Sequence, residues 1–203
     1  HYFVRAELKL SPNEKTQIEK SANEAASKKS DTDAEKEAVI SLFDLDSLKG
    51  GLRSKMTPQE IAREFTDAVV VVRSDEGSGT GFFVGRNGYL VTCAHCVAEG
   101  VKIEVSYRIG GKQHAAEAKL LRRDDASDLA LLKTNPPDAV RPILLAVGYN
   151  IEAGQKVSVI GNPGAGRQIL DYTMTDGIVS APNREMDGMT YFQTSASVNP
   201  GSS

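Results

Sequence analysis

The chain has 203 residues, 40% of them apolar and 25% charged, the balance of a folded globular domain with enough apolar material for a core. Its net charge is −3, without the clustered basic excess of a phosphate-binding surface, which argues against nucleic acid as a partner. No apolar run approaches the roughly 20 residues of a membrane-spanning helix, and no secretory leader is visible, although the chain starts at His1 and not at Met.

In chain order, residues 1–10 alternate, with Val4, Ala6, Leu8 and Leu10 on one face and Arg5, Glu7 and Lys9 on the other, which predicts a strand. Residues 11–38 are rich in Lys, Glu, Ser, Asn and Ala and carry almost no large apolar residue. They predict a solvated helix or a linker. A short apolar patch from Val39 to Leu48 closes at Gly50 and Gly51, which predict a break. Thr57 reads as a helix N-cap, with Pro58 at the first helical position and Glu60 completing a capping box. The helix should run to about Phe65, with Ile61 and Phe65 on one face.

From Ala68 the character changes. AVVVV, GSGTGFFVG, YLVTCAH, IEVSYRI, AAEAKLLRR, LALLKT, KVSVIGNP and DGIVSAP read as short strands separated by turn signals, with Asn87-Gly88 as a hairpin turn. No helical segment of 10–15 residues alternates with them, so the fold class is all-β, a sandwich or barrel.

The stretch VTCAHC (91–96) sets His95 between Cys93 and Cys96. Two cysteines three positions apart are not a disulfide framework. A four-ligand zinc site would need partners beyond Cys93, Cys96 and His95, and His1 and His114 have no matching spacing. A redox C-x-x-C belongs at a helix start beside a βαβ pattern, whereas this pair ends a strand-like run. The plain alternative is two small, partly buried thiols.

Three fragments carry chemistry if taken together: His95 at the end of a strand, Asp128 just before LALLK, and Ser203 behind the Pro-Gly of NPGSS. Singly, each has an ordinary structural explanation. Jointly they form the set that makes a hydroxyl a nucleophile. The imidazole takes the serine proton, and a buried carboxylate holds the imidazole in the right tautomer. Glycine next to the serine lets successive backbone N–H groups converge on an oxyanion, a role that suits Gly201 and Ser203.

Four motifs, in order, resemble the trypsin-like (chymotrypsin-fold) serine peptidases, and most closely their HtrA/Deg branch. They are GSGTGFFVGRNGYLVTCAH (77–95), SDLALLK (127–133), VIGNPGAG with MTDGIVSA (159–166 and 174–181), and FQTSASVNPGSS (192–203). The resemblance covers about residues 62–203. It implies two orthogonal six-stranded β-barrels, the second incomplete in this chain, with His95 as general base, Asp128 as its orienting carboxylate and Ser203 as nucleophile. It implies a serine endopeptidase working through an acyl-enzyme on unfolded or regulatory polypeptides, cleaving after small apolar residues, with a role in protein quality control and no metal or organic cofactor. A homo-oligomer, a trimer contacting through Tyr2 and Phe3, and an extracytoplasmic location such as the bacterial envelope or an organelle also follow from the resemblance alone.

The domain expectation is an N-terminal segment over 1–57, mixed and partly flexible, and a peptidase domain over 58–203, with the first barrel at about 66–148 and the second at about 149–203. Cys96 stands where many animal members of the family have a disulfide cysteine. The partner position falls near Thr80, so that bridge should be absent; two unbridged thiols are expected, with a Cys93–Cys96 disulfide as the alternative. Ser195 replaces a common acidic residue and Ser202 a common Asn, and Ser202 is the competing register for the nucleophile. The family pattern continues past its serine with Gly-Gly and further strands, so the protein is expected to continue beyond residue 203.

Two rival functions belong to other classes. One is a non-catalytic trypsin-like module that binds peptides or partners. The other is a chaperone-like role that would survive loss of Ser203. Retention of a base, its orienter and a nucleophile favours the enzyme over the binding module.

Overall fold

The computed structural model describes residues 2–4, 56–75, 77–85, 87–136, 140–143, 150–162, 164–165, 168–169, 172–186 and 188–198. All of these except Asn150 belong to one compact unit. Of the expected strand at 1–10, the described residues Tyr2–Val4 form β1; residues 5–10, the charged stretch 11–38, the apolar patch and the Gly50-Gly51 break lie outside the described residues.

Helix α1 (Pro58–Phe65) begins as its sequence predicts. The Thr57 backbone N–H donates to Glu60 Oε2 at 2.7 Å, and the Glu60 N–H donates to Thr57 Oγ1 at 3.3 Å. This reciprocal cap satisfies two N–H groups that the first turn leaves unpaired. The Thr57 backbone N–H, and after it the Thr57 hydroxyl, which donates to the same Oε2 at 2.9 Å, hold the Glu60 carboxyl below its ordinary range.

Six strands then close into an antiparallel barrel: β2 (Val69–Ser74), β3 (Gly77–Phe83), β4 (Tyr89–Cys93), β5 (Ile103–Ile109), β6 (Lys112–Asp124) and β7 (Leu129–Lys133). The order around the barrel is β2-β3-β4-β7-β6-β5, and β5 returns to β2 through Val71↔Ser106, Val72↔Val105 and Arg73↔Glu104. Closure removes the sheet edges and gives every strand an inward face. Val70, Val72, Phe83, Leu90, Val105 and Leu132 fill that interior, each with no exposed surface, and the Tyr107 ring meets Phe83 edge-on at 5.3 Å. Val69 and Val71, on the opposite face of β2, are covered too, which accounts for an unbroken run of valines where half-buried strands alternate.

The Asn-Gly turn joins β3 to β4 as expected. Gly88 sits at φ +91°, and a Cβ there would lie 2.3 Å from the Thr134 carbonyl oxygen, so both backbone conformation and space require glycine.

The second half forms a four-stranded sheet in the order β1-β12-β11-β8, from β8 (Lys156–Gly161), β11 (Thr173–Met186), β12 (Met189–Thr194) and β1. Two short strands, β9 (Gly164–Ala165) and β10 (Gln168–Ile169), pair with each other. Strand β1 adds to β12 through Tyr2↔Gln193, Phe3↔Phe192 and Val4↔Tyr191. Strand β12 and this pairing were not read from the sequence. The β12 run MTYFQT sits on a sheet whose faces are only partly covered, and it lacks clean alternation.

A buried polar residue ties the two halves together. Asn162, 2% exposed, donates from its backbone N–H to Thr80 Oγ1 (2.9 Å) and from Nδ2 to the Val70 carbonyl (3.1 Å), and its Oδ1 accepts the Tyr172 N–H (2.8 Å). The Arg108 guanidinium also lies over the Tyr172 ring, 4.3 Å from its centre.

Candidate active site

Strands β4 and β7 are neighbours in register Thr92↔Ala130 and Cys93↔Leu129. The residues just beyond the end of β4 therefore meet those just before the start of β7. His95 sits in a short 3-10 turn, Ala94–Cys96, directly after β4, and Asp128 is the last residue of the turn entering β7. This brings together two residues 33 positions apart in sequence.

Asp128 makes three contacts with the histidine turn. Its backbone carbonyl accepts the Ala94 N–H at 3.0 Å, Oδ1 accepts the His95 backbone N–H at 2.9 Å, and Oδ2 lies 2.7 Å from His95 Nδ1. A carboxylate only accepts, so Nδ1 carries the shared proton and Nε2 is left with a lone pair. That tautomer is the one a general base needs. Asp128 adopts φ +53°, a left-handed conformation that costs a residue with a Cβ about 1 kcal/mol or more and that Asp tolerates better than most.

A buried carboxylate is the expectation for a residue that holds an imidazole in one tautomer. The structure instead leaves the side chains of His95 and Asp128 57% and 47% exposed, because both stand on turns at the barrel rim and not on its inward face. The pair is held in place by hydrogen bonds and not by burial.

Neighbouring side chains support the aspartate turn. Asp124 Oδ1 accepts the Ala126 N–H (3.0 Å) and Oδ2 accepts the Ser127 hydroxyl (2.7 Å), bonds that also lower the Asp124 pKa, with the Ser127 hydroxyl as the largest cause. Arg123 donates from Nε to Asp125 Oδ1 at 2.7 Å and from Nη1 to the Val97 carbonyl, linking the aspartate turn to the chain after His95. Ser74 Oγ donates to the Cys96 carbonyl at 2.8 Å. Sequence reading missed these supports. Asp124 at the head of the Asp-Asp-Ala-Ser turn was an available signal, since Asp side chains close such turns by bonding the backbone two residues on, here the Ala126 N–H.

Neither Cys93 nor Cys96 forms a disulfide; Cys96 belongs to the barrel core and Cys93 packs against it. Burial, reinforced by the negative charge of Asp128, pushes Cys93 up to about 12 and Cys96 up to about 11. Thr80, at the position where a bridging cysteine would fall, accepts hydrogen bonds from Thr92 Oγ1 and the Asn162 N–H. Among the described residues, one group of three side chains offers metal-capable atoms close together: Cys93, His95 and Asp128, all within 4.8 Å of one another.

The stretch leading toward the candidate nucleophile is fastened to β11. Ser195 exchanges bonds with Ile178 through its N–H (to the Ile178 carbonyl, 3.0 Å) and its Oγ (from the Ile178 N–H, 3.0 Å), and Thr175 Oγ1 donates to the Ser197 carbonyl at 2.8 Å. Gly177 faces this stretch so closely that a Cβ would lie 2.3 Å from the Ala196 nitrogen. Gly201, Ser202 and Ser203 lie outside the described residues.

The family model for the trypsin-like peptidase domain matches residues 79–203. The chain belongs to the trypsin-like peptidase family. Its relatives identify the HtrA/Deg branch. It is 33% identical over 141 residues to protease Do-like 1, chloroplastic, of Arabidopsis thaliana, covering 66% of this chain and 30% of that protein. It is 35% identical over 134 residues to a probable periplasmic serine endoprotease, DegP-like, of Pseudomonas fulva (strain 12-X), covering 64% of this chain and 26% of that protein. The crystal structure of Deg5 superposes with a TM-score of 0.61 at 27% identity, over 73% of this chain and 79% of that one. This trypsin-like chain thus spans under a third of the length of these two curated relatives. No helix among the described residues is long and apolar enough to cross a membrane.

Proposed function

We propose that this trypsin-like chain carries the catalytic domain of a serine endopeptidase, with His95 as general base, Asp128 as its orienting carboxylate and Ser203 as nucleophile. The observation that carries the reading is the 2.7 Å contact between His95 Nδ1 and Asp128 Oδ2, together with the 2.9 Å bond from the His95 N–H to Oδ1. One carboxylate thereby sets both the ring and the backbone beneath it.

In this mechanism Nε2 accepts the Ser203 hydroxyl proton as Oγ attacks the scissile carbonyl. Asp128 stabilises the imidazolium that forms, and the Gly201 and Ser203 N–H groups receive the oxyanion. His95 then protonates the leaving amine, and water, deprotonated by the same Nε2, hydrolyses the acyl-enzyme. The peptidase domain is taken as 58–203, with barrels near 66–148 and 149–203. The substrate is a polypeptide, an unfolded or regulatory protein, and the relatives named periplasmic and chloroplastic support an extracytoplasmic or organellar setting. Assembly into a homo-oligomer, a trimer by the resemblance, belongs to the same reading.

The test is labelling of the protein with a fluorophosphonate probe, followed by peptide mass mapping. Label on Ser203 that disappears in His95→Ala is the expected result. Label on Ser202 would move the nucleophile by one residue, and no label on a well-folded chain continuing past residue 203 would sink the catalytic reading.

A further inference from the structure

Cys93 is not needed by the proposed mechanism, yet its sulfur lies beside the two groups that are. The Sγ of Cys93, a ring nitrogen of His95 and a carboxylate oxygen of Asp128 all fall within 4.8 Å of one another. Sequence spacing offered only Cys93, Cys96 and His95 as ligands. The structure removes Cys96, which is 3% exposed in the barrel core, and supplies Asp128 from the turn that enters β7.

We propose that Cys93, His95 and Asp128 form a regulatory site for a thiophilic divalent cation of the Zn2+ type, whose occupancy switches the base off. The proposal rests on the catalytic reading above for its consequence, but not for its binding chemistry.

The donor set decides the class of ion. One thiolate, one imidazole and one carboxylate suit a borderline-soft ion with tetrahedral preference, and three protein ligands leave the fourth position to water. Hard ions such as Mg2+ and Ca2+ demand oxygen ligands in larger number. Bonds of about 2.0–2.3 Å place tetrahedral donors about 3.3–3.8 Å apart. A thiolate sulfur and an N or O donor sit about 3.5 Å apart in that geometry, so the most distant pair has to close by about 1.3 Å at most, and the His95–Asp128 contact has to open slightly. Both residues stand half-exposed on rim turns, so an ion reaches them from solvent without opening the barrel. A doubly charged cation also meets two negative ligands, the thiolate and the carboxylate, so the occupied site is close to neutral.

The consequence follows from the ring. In the free site Nδ1 carries the proton and Nε2 the lone pair. An ion bound at Nδ1 displaces the proton there and takes the electron pair that held it, which ends the bond to Asp128 Oδ2; by way of solvent the ring proton is carried to Nε2, whose lone pair it occupies. One proton leaves the site, from the Cys93 thiol. His95 with a protonated Nε2 has no lone pair to accept the proton of a serine hydroxyl. Occupancy therefore removes the base and its orienter together, reversibly.

The experiment titrates the full chain with Cd2+ and Zn2+. Cd2+ is read by its thiolate charge-transfer absorbance and Zn2+ by competition with a chromophoric chelator, neither of which requires turnover. One ion per chain is expected. Affinity should fall by at least about tenfold in Cys93→Ser and, independently, in Asp128→Asn, while His114→Ala retains it. Absence of the Cd2+ band, or unchanged affinity in Cys93→Ser and Asp128→Asn, overturns the site. Fluorophosphonate labelling should slow when Zn2+ is bound and recover with chelator; labelling at an undiminished rate on the Zn2+-bound protein overturns the switch. A chain that never labels but binds Cd2+ through Cys93 would fail as a peptidase and keep the site.

Discussion

In the first barrel Val70, Leu90 and Leu132 reach zero exposure on three different strands. In the sheet of the second half, β11 buries only Val179 fully among its described residues, and the adjacent Ile178 stands 43% exposed. Both regions are antiparallel and both carry β-branched residues. The difference is closure. A closed barrel gives each strand a shared interior, whereas among the described residues β1, β12, β11 and β8 pair as an open sheet with β8 and β1 at its edges. His95 and Asp128 are carried by the closed barrel. The stretch approaching the candidate nucleophile is carried by the other, where hydrogen bonds to β11 do the fastening.

The comparison is best broken at its chemistry. Asp128→Asn should cut turnover, or the rate of probe labelling, by about 10⁴-fold, because an amide can hold the ring in the wrong tautomer. Retained activity would mean that the first barrel does not supply the base through this pair.

Next comes the packing itself. Leu132→Ala in the first barrel should destabilise by about 2–5 kcal/mol, whereas Ile178→Ala in the second should stay within about 0.5 kcal/mol. Denaturant midpoints measure both. Equal losses would show that the two halves share one core.

The link between the halves should give an intermediate effect. Asn162→Ala leaves the Val70 carbonyl and the Tyr172 N–H without their present side-chain partner, which costs about 1–3 kcal/mol for buried groups. If Asn162 does hold the halves in register, this variant should also separate their unfolding transitions, seen as a broadened calorimetric peak.

The smallest effect is alkaline. The folded chain keeps the Cys93 and Cys96 thiols protonated up to about 12 and about 11, while an unfolded chain releases those protons near the ordinary value of 9.0. Above that value the unfolded state binds fewer protons, so stability falls as pH rises through the window between the ordinary and the raised values. Melting temperatures across that window should decline less steeply in Cys93→Ser than in the unsubstituted chain. The first barrel, which holds both thiols, should account for the difference.

Legibility followed burial pattern. The valine run of β2, the Thr57-Pro58-x-Glu60 cap and the Asn-Gly hairpin carry their local instructions in adjacent residues, and the structure builds all three as expected. Strand β12 did not announce itself, because MTYFQT belongs to a half-covered sheet and shows no alternation. Arg123, Thr80 and Asn162 were unreadable for a different reason. Each acts on a residue that is remote in sequence, as when Asn162 reaches Val70 across 92 positions.

The sequence by itself determined an all-β trypsin-like chain and the capped helix before it, and it singled out His95 and Asp128 as a candidate base and carboxylate, since motif order and local turn chemistry lie within short stretches. Only the tertiary structure decided that β4 and β7 are neighbours, which brings Asp128 onto both the ring and the backbone of His95. It alone sent Cys96 into the core and left Cys93 beside the pair. Strand pairing in a closed barrel is set by which inward faces fit one interior, a property of all six strands together and of none singly.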